Sequence, residues 1–247
     1  MSNKAKQYTA IGIGVIILFS IGMLYSLGYR FTESYSIGKM GTLLIQTPLT
    51  QTVVIIDKAE KIVTTTSNQN VAIKLSPRTH EVLIAREGYF PWVQDVSIPS
   101  GGNATVTPLF VSQNPSGQII TQVDPEYWDI RNKVESHILP TKEASLVSLD
   151  TTTRLWVTDN AIMFQVGTST PRAIIQPDTI VKNVAFYKDR SDAVIFSTAN
   201  GIYVIEREGH GTQNFMPLYK GASPIFIKTN SQFIYIWDNN ALMQVVI

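Results

Sequence analysis

Twenty residues without a charge, Tyr8 to Leu27 (YTAIGIGVIILFSIGMLYSL), constrain this chain more than any other feature. At about 1.5 Å per helical residue, such a run matches the roughly 30 Å hydrocarbon core of a bilayer. No charged side chain lies between Lys6 and Arg30, and Tyr8, Tyr25 and Tyr29 stand near the ends, where amphipathic rings settle among headgroups. The sequence therefore predicts a short N-terminus over 1–6 and a single transmembrane helix over 7–29. Lys4, Lys6 and the α-amine precede the span, while Arg30, Glu33 and Lys39 follow it. The positive-inside bias then places the amino terminus in the cytoplasm and the remaining domains outside. A cleaved signal peptide, cut after Gly28, is the alternative. The apolar run exceeds the usual h-region of about 7–15 residues and favours an uncleaved signal-anchor in the cell membrane.

The rest of the chain is long enough to fold. Its 247 residues, 44% of them hydrophobic, suffice for one large or two modest domains. Twenty Lys plus Arg against nineteen Asp plus Glu give a net charge of +1, so no broad basic field points to nucleic acid. The absence of cysteine excludes disulfides, thiolate metal sites and cysteine nucleophiles.

After a linker at 30–39, residues 40–111 are dense in short β-branched runs: TLLIQT, TVVIID, NVAIKL, HEVLIA, DVSIP and ATVTPLFV. Pro, Gly, Asn and Ser separate them, which predicts a small antiparallel β-sandwich. In order, GTLLIQTP (41–48), VVIID (53–57), LSPRTHEVLIAREGYFPW (75–92) and GGNATVTPLF (101–110) resemble the PEGA domain family. Pro48 is not followed by the tetrapeptide that names the family, and Arg78 stands where a glycine is usual. The resemblance implies a sandwich module of bacterial and archaeal surface proteins, with no catalytic residues to carry over. Within it Gly88 is expected in a turn, and Tyr89 and Trp92 as apolar anchors with a polar handle or, alternatively, as a ligand-binding aromatic patch.

A second linker is expected at 112–118, and beyond it, over 119–247, a pattern repeats. RLWVTDNAIMFQV (154–166), AVIFSTANGIYVIE (193–206) and FIYIWDNNALMQVV (233–246) each read as strand, polar turn and strand. Asn160, Asn200 and Asn240 fall in the turns, forty residues apart both times. Asparagine tolerates the left-handed backbone of tight hairpins, and Asn200-Gly201 is the strongest two-residue signal. With AIIQP, NVAFY, MPLYKG and PIFIK between them, the repeats predict a β-propeller-like region of about three blades. A closed ring typically has about four to eight blades, so either the sheets stay open or self-association completes them.

Chemical motifs are absent. His80, His137 and His210 share no ligand spacing, and no G-x-S-x-G, phosphate loop or dinucleotide fingerprint occurs. No catalytic, metal or cofactor site is expected. DPEYWD (124–129) reads as an interdomain turn anchored by Trp128, and KDRSD (188–192) as a solvated turn. A partner surface, if one exists, falls to Tyr89, Trp92, Tyr127, Trp128 and His210. The expectation is a mostly β, membrane-anchored bacterial envelope protein that binds a protein or a cell-wall glycan. An accessory or sensory subunit of a membrane complex is the alternative, and an envelope hydrolase a more remote one.

Overall fold

A computed structural model describes residues 3–31, 37–47, 50–62, 70–207 and 212–247. The chain is mostly β and packs into two compact units, Met1–Val82 with Asp95–Pro108, and Leu83–Gln94 with Leu109–Ile247.

The first stretch runs α1 (Asn3–Ser26), β1 (Tyr29–Phe31), β2 (Ile37–Lys39), β3 (Gly41–Gln46), β4 (Val53–Ile56), β5 (Ala59–Ile62), β6 (Asn70–Leu75), β7 (Thr79–Ala85), β8 (Trp92–Ser97) and β9 (Asn103–Val106). α1 ends three residues before the expected limit at 29, because Tyr29 enters an antiparallel ribbon with Lys39. Among the described residues, no helix is long and apolar enough to cross a membrane.

Period-two burial builds the sheets that follow. Leu43 and Ile45 on β3, and Val54 and Ile56 on β4, point into a core while their neighbours are less buried. Two sheets result, three-stranded β6-β3-β9 and four-stranded β5-β4-β7-β8. The expected all-antiparallel arrangement is corrected at β3 and β9, which pair in parallel. The chain between them passes through the other sheet, a connection long enough to return without reversing direction.

The second stretch runs β10 (Gly117–Ile120), α2 (Tyr127–Glu135), β11 (Leu146–Val147), β12 (Thr153–Thr158), β13 (Ala161–Val166), β14 (Arg172–Ile175), β15 (Asn183–Phe186), β16 (Ala193–Thr198), β17 (Gly201–Glu206), β18 (Phe215–Lys220), β19 (Ile225–Lys228), β20 (Phe233–Asp238) and β21 (Ala241–Val246). Three four-stranded sheets form, β11-β12-β13-β14, β15-β16-β17-β18 and β10-β21-β20-β19, and no closed propeller is seen among the described residues. Each repeat is a hairpin in the same register: Thr158 pairs with Ala161, Thr198 with Gly201, and Asp238 with Ala241. Asp159-Asn160 and Asn239-Asn240 all take positive φ, the left-handed turn that matches strand twist.

The middle hairpin departs from that chemistry. Its loop is Ala199-Asn200, neither residue has positive φ, and Gly201 already opens β17. Glycine is needed there for space: a Cβ would stand 2.4 Å from the Tyr219 carbonyl oxygen. Every residue of β16 is buried, the mark of a strand covered on both faces.

Two features were not expected. Gly117 and Gln118, read as linker, begin β10 and pair with Val245 and Gln244, so β21 is covered on both edges. DPEYWD leads into a helix, because Tyr127, Ile130 and Val134 recur at helical spacing and pack with Ile120 and Leu242. Tyr127 is the anchor, whereas Trp128, given that role from sequence, is 51% exposed.

Candidate functional site

The predicted surface residues fall in separate places. Gly88 takes φ 80°, and its carbonyl accepts from Gln113 N–H at 2.9 Å, so the turn presents half-buried Tyr89 edge-on to Phe110, ring centroids 5.8 Å apart. Trp92 is only 1% exposed and presents no ring face to a ligand. Tyr127 and Trp128 meet edge to face at 5.1 Å, and the Arg131 guanidinium lies between the rings of Trp128 (5.6 Å) and Trp237 (4.7 Å). No ring contact joins this pair to Tyr89 or Trp92 among the described residues. His210 lies outside the described residues.

Trp92 instead belongs to a buried polar network that the sequence did not reveal. Its indole N–H donates to Glu206 Oε2 at 2.7 Å, and Asn214 Nδ2 donates to the same oxygen at 2.8 Å. Arg190 Nη2 reaches Glu206 Oε1 at 2.9 Å and grips Asp192 with both Nε and Nη2 at 2.8 Å. The Asn214 amide also donates to Val93 O at 3.0 Å and accepts from Val93 N–H at 3.1 Å. One side chain thereby ties the start of β8 to the approach to β18. Burial pushes the Glu206 carboxyl above its usual range, with Arg190, Asn214 and Trp92 pulling the other way.

A second cluster has the outline of a nucleophile relay. His80 Nδ1 stands 2.7 Å from Asp57 Oδ2, and Nε2 stands 3.3 Å from Ser76 Oγ. The β4–β5 turn places Asp57 there, with Asp57 and Lys58 both at positive φ. Nε2 also lies 2.9 Å from Ser76 O, which can only accept, so that nitrogen is best satisfied as a donor. A donating Nε2 has no lone pair for the Ser76 proton, and His80 is buried. The geometry fits a structural clamp. Arg78 adds a 2.6 Å ion pair to Asp57, and the Glu81 N–H donates to its other oxygen.

Asp57 carries a pH signature. Burial would raise its pKa, but the His80 hydrogen bond, the His80 and Arg78 charges and the Glu81 N–H together hold it below the usual 3.8. The stability it contributes is complete above 3.8 and lost as pH falls through the lower folded value. Asp57→Asn should therefore flatten the acid limb of melting temperature against pH in that window; an unchanged limb would show that the clamp does not hold Asp57 ionised.

The remaining candidate is a cavity of about 360 Å3 in the second unit. Phe164 and Arg172 form a cross-strand pair on β13 and β14, while Ser169 and Thr170 come from the connecting turn. Arg207, just after β17, and Gln213, before β18, also line it. Gln213 Nε2 donates to Ile174 O at 3.0 Å, and Arg207 N–H donates to Asp192 O at 2.7 Å. The Arg207 guanidinium stands 5.8 Å from the Phe164 ring centre. Among the described residues, no cluster of three His, Asp or Glu side chains could hold a metal ion.

No protein-family model matches the chain, and no curated protein is significantly similar to it.

Proposed function

We propose that the chain is a membrane-anchored envelope protein whose β domains lie outside the cytoplasm and serve as a binding or structural module for a protein or glycan. The observation that carries this reading is the surface of α1. Ile16, Leu18 and Phe19 are 66%, 71% and 74% exposed, although successive helical positions point in directions about 100° apart. Apolar side chains on every side of one helix suit a lipid surround, and Tyr25 with Arg30 suits an interface: the guanidinium stands 3.4 Å from the ring centre. The PEGA-like motif order supports a surface sandwich module. Hairpins repeating at forty residues within four-stranded sheets support blade-like units in the second unit. Binding of this kind needs loops and edges rather than a nucleophile.

Cell fractionation tests the reading. The protein should stay in the membrane pellet through alkaline carbonate extraction, and protease added to spheroplasts should digest its β domains. Ile16→Arg with Phe19→Arg should release it, because each charge near the helix centre opposes insertion by about 2.5–3.5 kcal/mol. Carbonate-soluble protein, or β domains protected inside spheroplasts, would refute the anchor and its orientation respectively.

A further inference from the structure

We infer that the α2-bearing face of the β10-β21-β20-β19 sheet binds an uncharged, extended glycan, laid over Phe233, Tyr235 and the side-chain row Gln118, Gln244 and Tyr235. The first ground is the placing of the aromatic rings. β20 alternates, with Ile234 and Ile236 wholly buried on one side and Phe233, Tyr235 and Trp237 on the other, each still partly exposed. Apolar burial by itself favours turning the larger rings inward. Trp237 is taken up by α2, whose Arg131 guanidinium stands 4.7 Å from its ring centre, and Tyr235 packs beside the same cluster. Phe233, two residues further along the strand, extends the strip and meets Tyr235 edge to face at 5.4 Å.

The second ground is a polar row held in place. Gln118, Gln244 and Tyr235 are cross-strand partners and so share this face. Gln118 Nε2 donates to Gln244 Oε1 at 3.0 Å, and Gln244 Nε2 donates to the Tyr235 hydroxyl at 3.3 Å. The row has a direction: Tyr235, having accepted, keeps its own hydrogen to donate, and Gln118 keeps its carbonyl oxygen to accept. Sugar hydroxyls both donate and accept, so they continue such a row at either end. The third ground is charge. No strand residue on this face is charged: β19 contributes Ile225 and Ile227, β21 contributes Leu242, Gln244 and Val246, and β10 contributes Gln118 and Ile120. On α2, Arg131 pairs with Glu135 and Lys133 with Asp129. A face without net charge matches an uncharged ligand. From Phe233 to Trp237 the strip runs roughly 13 Å at about 3.3 Å per residue, and an open face of this kind suits a flat ribbon of equatorially linked sugars, whose C–H faces meet aromatic rings, better than a coiled chain.

The inference rests on the binding-module reading and names what that module takes. The test is a calorimetric titration of the full chain, in a polyoxyethylene detergent that carries no sugar headgroup, with cellotetraose, with chitotetraose and with maltotetraose. Saturable binding of cellotetraose or chitotetraose is expected, with none of the coiled maltotetraose, and the preferred ribbon tells hydroxyl from acetamide recognition. Gln118→Ala and Tyr235→Phe should each weaken it by roughly threefold to tenfold, as loss of one hydrogen bond implies. Tyr235→Ala should weaken it further, because the ring goes with the hydroxyl. Gln118 is exposed on an edge strand, so its truncation leaves the fold standing even if Tyr235→Ala does not. Absence of saturation by both ribbons, equal binding of maltotetraose, an unchanged affinity in Gln118→Ala, or a dimer of the chain that Gln118→Ala disperses would overturn the assignment. Failure here leaves carbonate resistance untouched, and failure of the anchor leaves this titration untouched.

Discussion

Glu206→Ala is expected to destabilise the second unit by about 3–5 kcal/mol, the range for removing one partner of a buried ion pair. The substitution takes one acid from Arg190, and it strands the indole N–H of buried Trp92 and one bond of buried Asn214. Such donors keep their desolvation penalty once the acceptor is gone. A fall of roughly 10 °C in the melting temperature of the full chain, followed by near-UV circular dichroism, is the expected reading for a unit of this size. A change within about 1 °C would mean that solvent replaces the carboxylate freely and that the network is not closed.

Glu206→Gln separates charge from shape. Because the folded pKa of Glu206 lies above its usual 4.5, the unfolded chain ionises first as pH rises from that value, and stability falls until the folded pKa is passed. Below 4.5 and above the folded pKa the group adds no slope. Melting temperatures measured from about pH 4 to about pH 8 should therefore show a declining step in the wild type that Glu206→Gln lacks. A step of the same size in both proteins would assign it to another group.

Trp92→Ala carries the other large effect, about 3–5 kcal/mol by loss of a fully buried aromatic side chain. Trp92→Phe keeps most of the packing and removes the indole donor, so it should cost only about 1–2 kcal/mol. Because Trp92 and Glu206 share one hydrogen bond, the double alanine variant should be less destabilised than the sum of the two, with a coupling of roughly 0.5–3 kcal/mol. Additive effects from denaturant melts would mean that the two side chains act independently and that the 2.7 Å contact contributes nothing.

The hairpins were legible because their information is local. A turn needs particular residues at adjacent positions, and Asp159-Asn160 and Asn239-Asn240 announce a left-handed turn wherever they occur. Asn200 shows the limit of that logic. The dipeptide Asn200-Gly201 reads as the turn itself, yet the register places Gly201 one step later, where the close approach of the Tyr219 carbonyl requires it. The same ambiguity affected DPEYWD: its aromatic pair was visible, but which ring turns inward depends on the helix that Ile130 and Val134 complete.

The candidate sites were less legible, because their members are distant in the chain. Trp92 and Glu206 lie 114 residues apart, and nothing local distinguishes Glu206 from an exposed acid at the end of a strand. Arg190 sits within KDRSD, whose composition is that of a solvated turn, and it is the approach of Glu206 that makes it part of a buried pair. Arg172 lies on β14 and Arg207 just past β17, so the cavity that both line has no sequence signature.

From the sequence alone came the uncharged run at Tyr8 to Leu27, the β-rich character and the forty-residue hairpin period, because charge gaps, alternation and turn chemistry are written in neighbouring residues. Tertiary structure alone decided that β10 covers β21, that β9 lies parallel to β3, and that Trp92 closes over Glu206. Each depends on a pairing between segments far apart, where many registers are compatible with the same local pattern and only packing and hydrogen-bond satisfaction select among them.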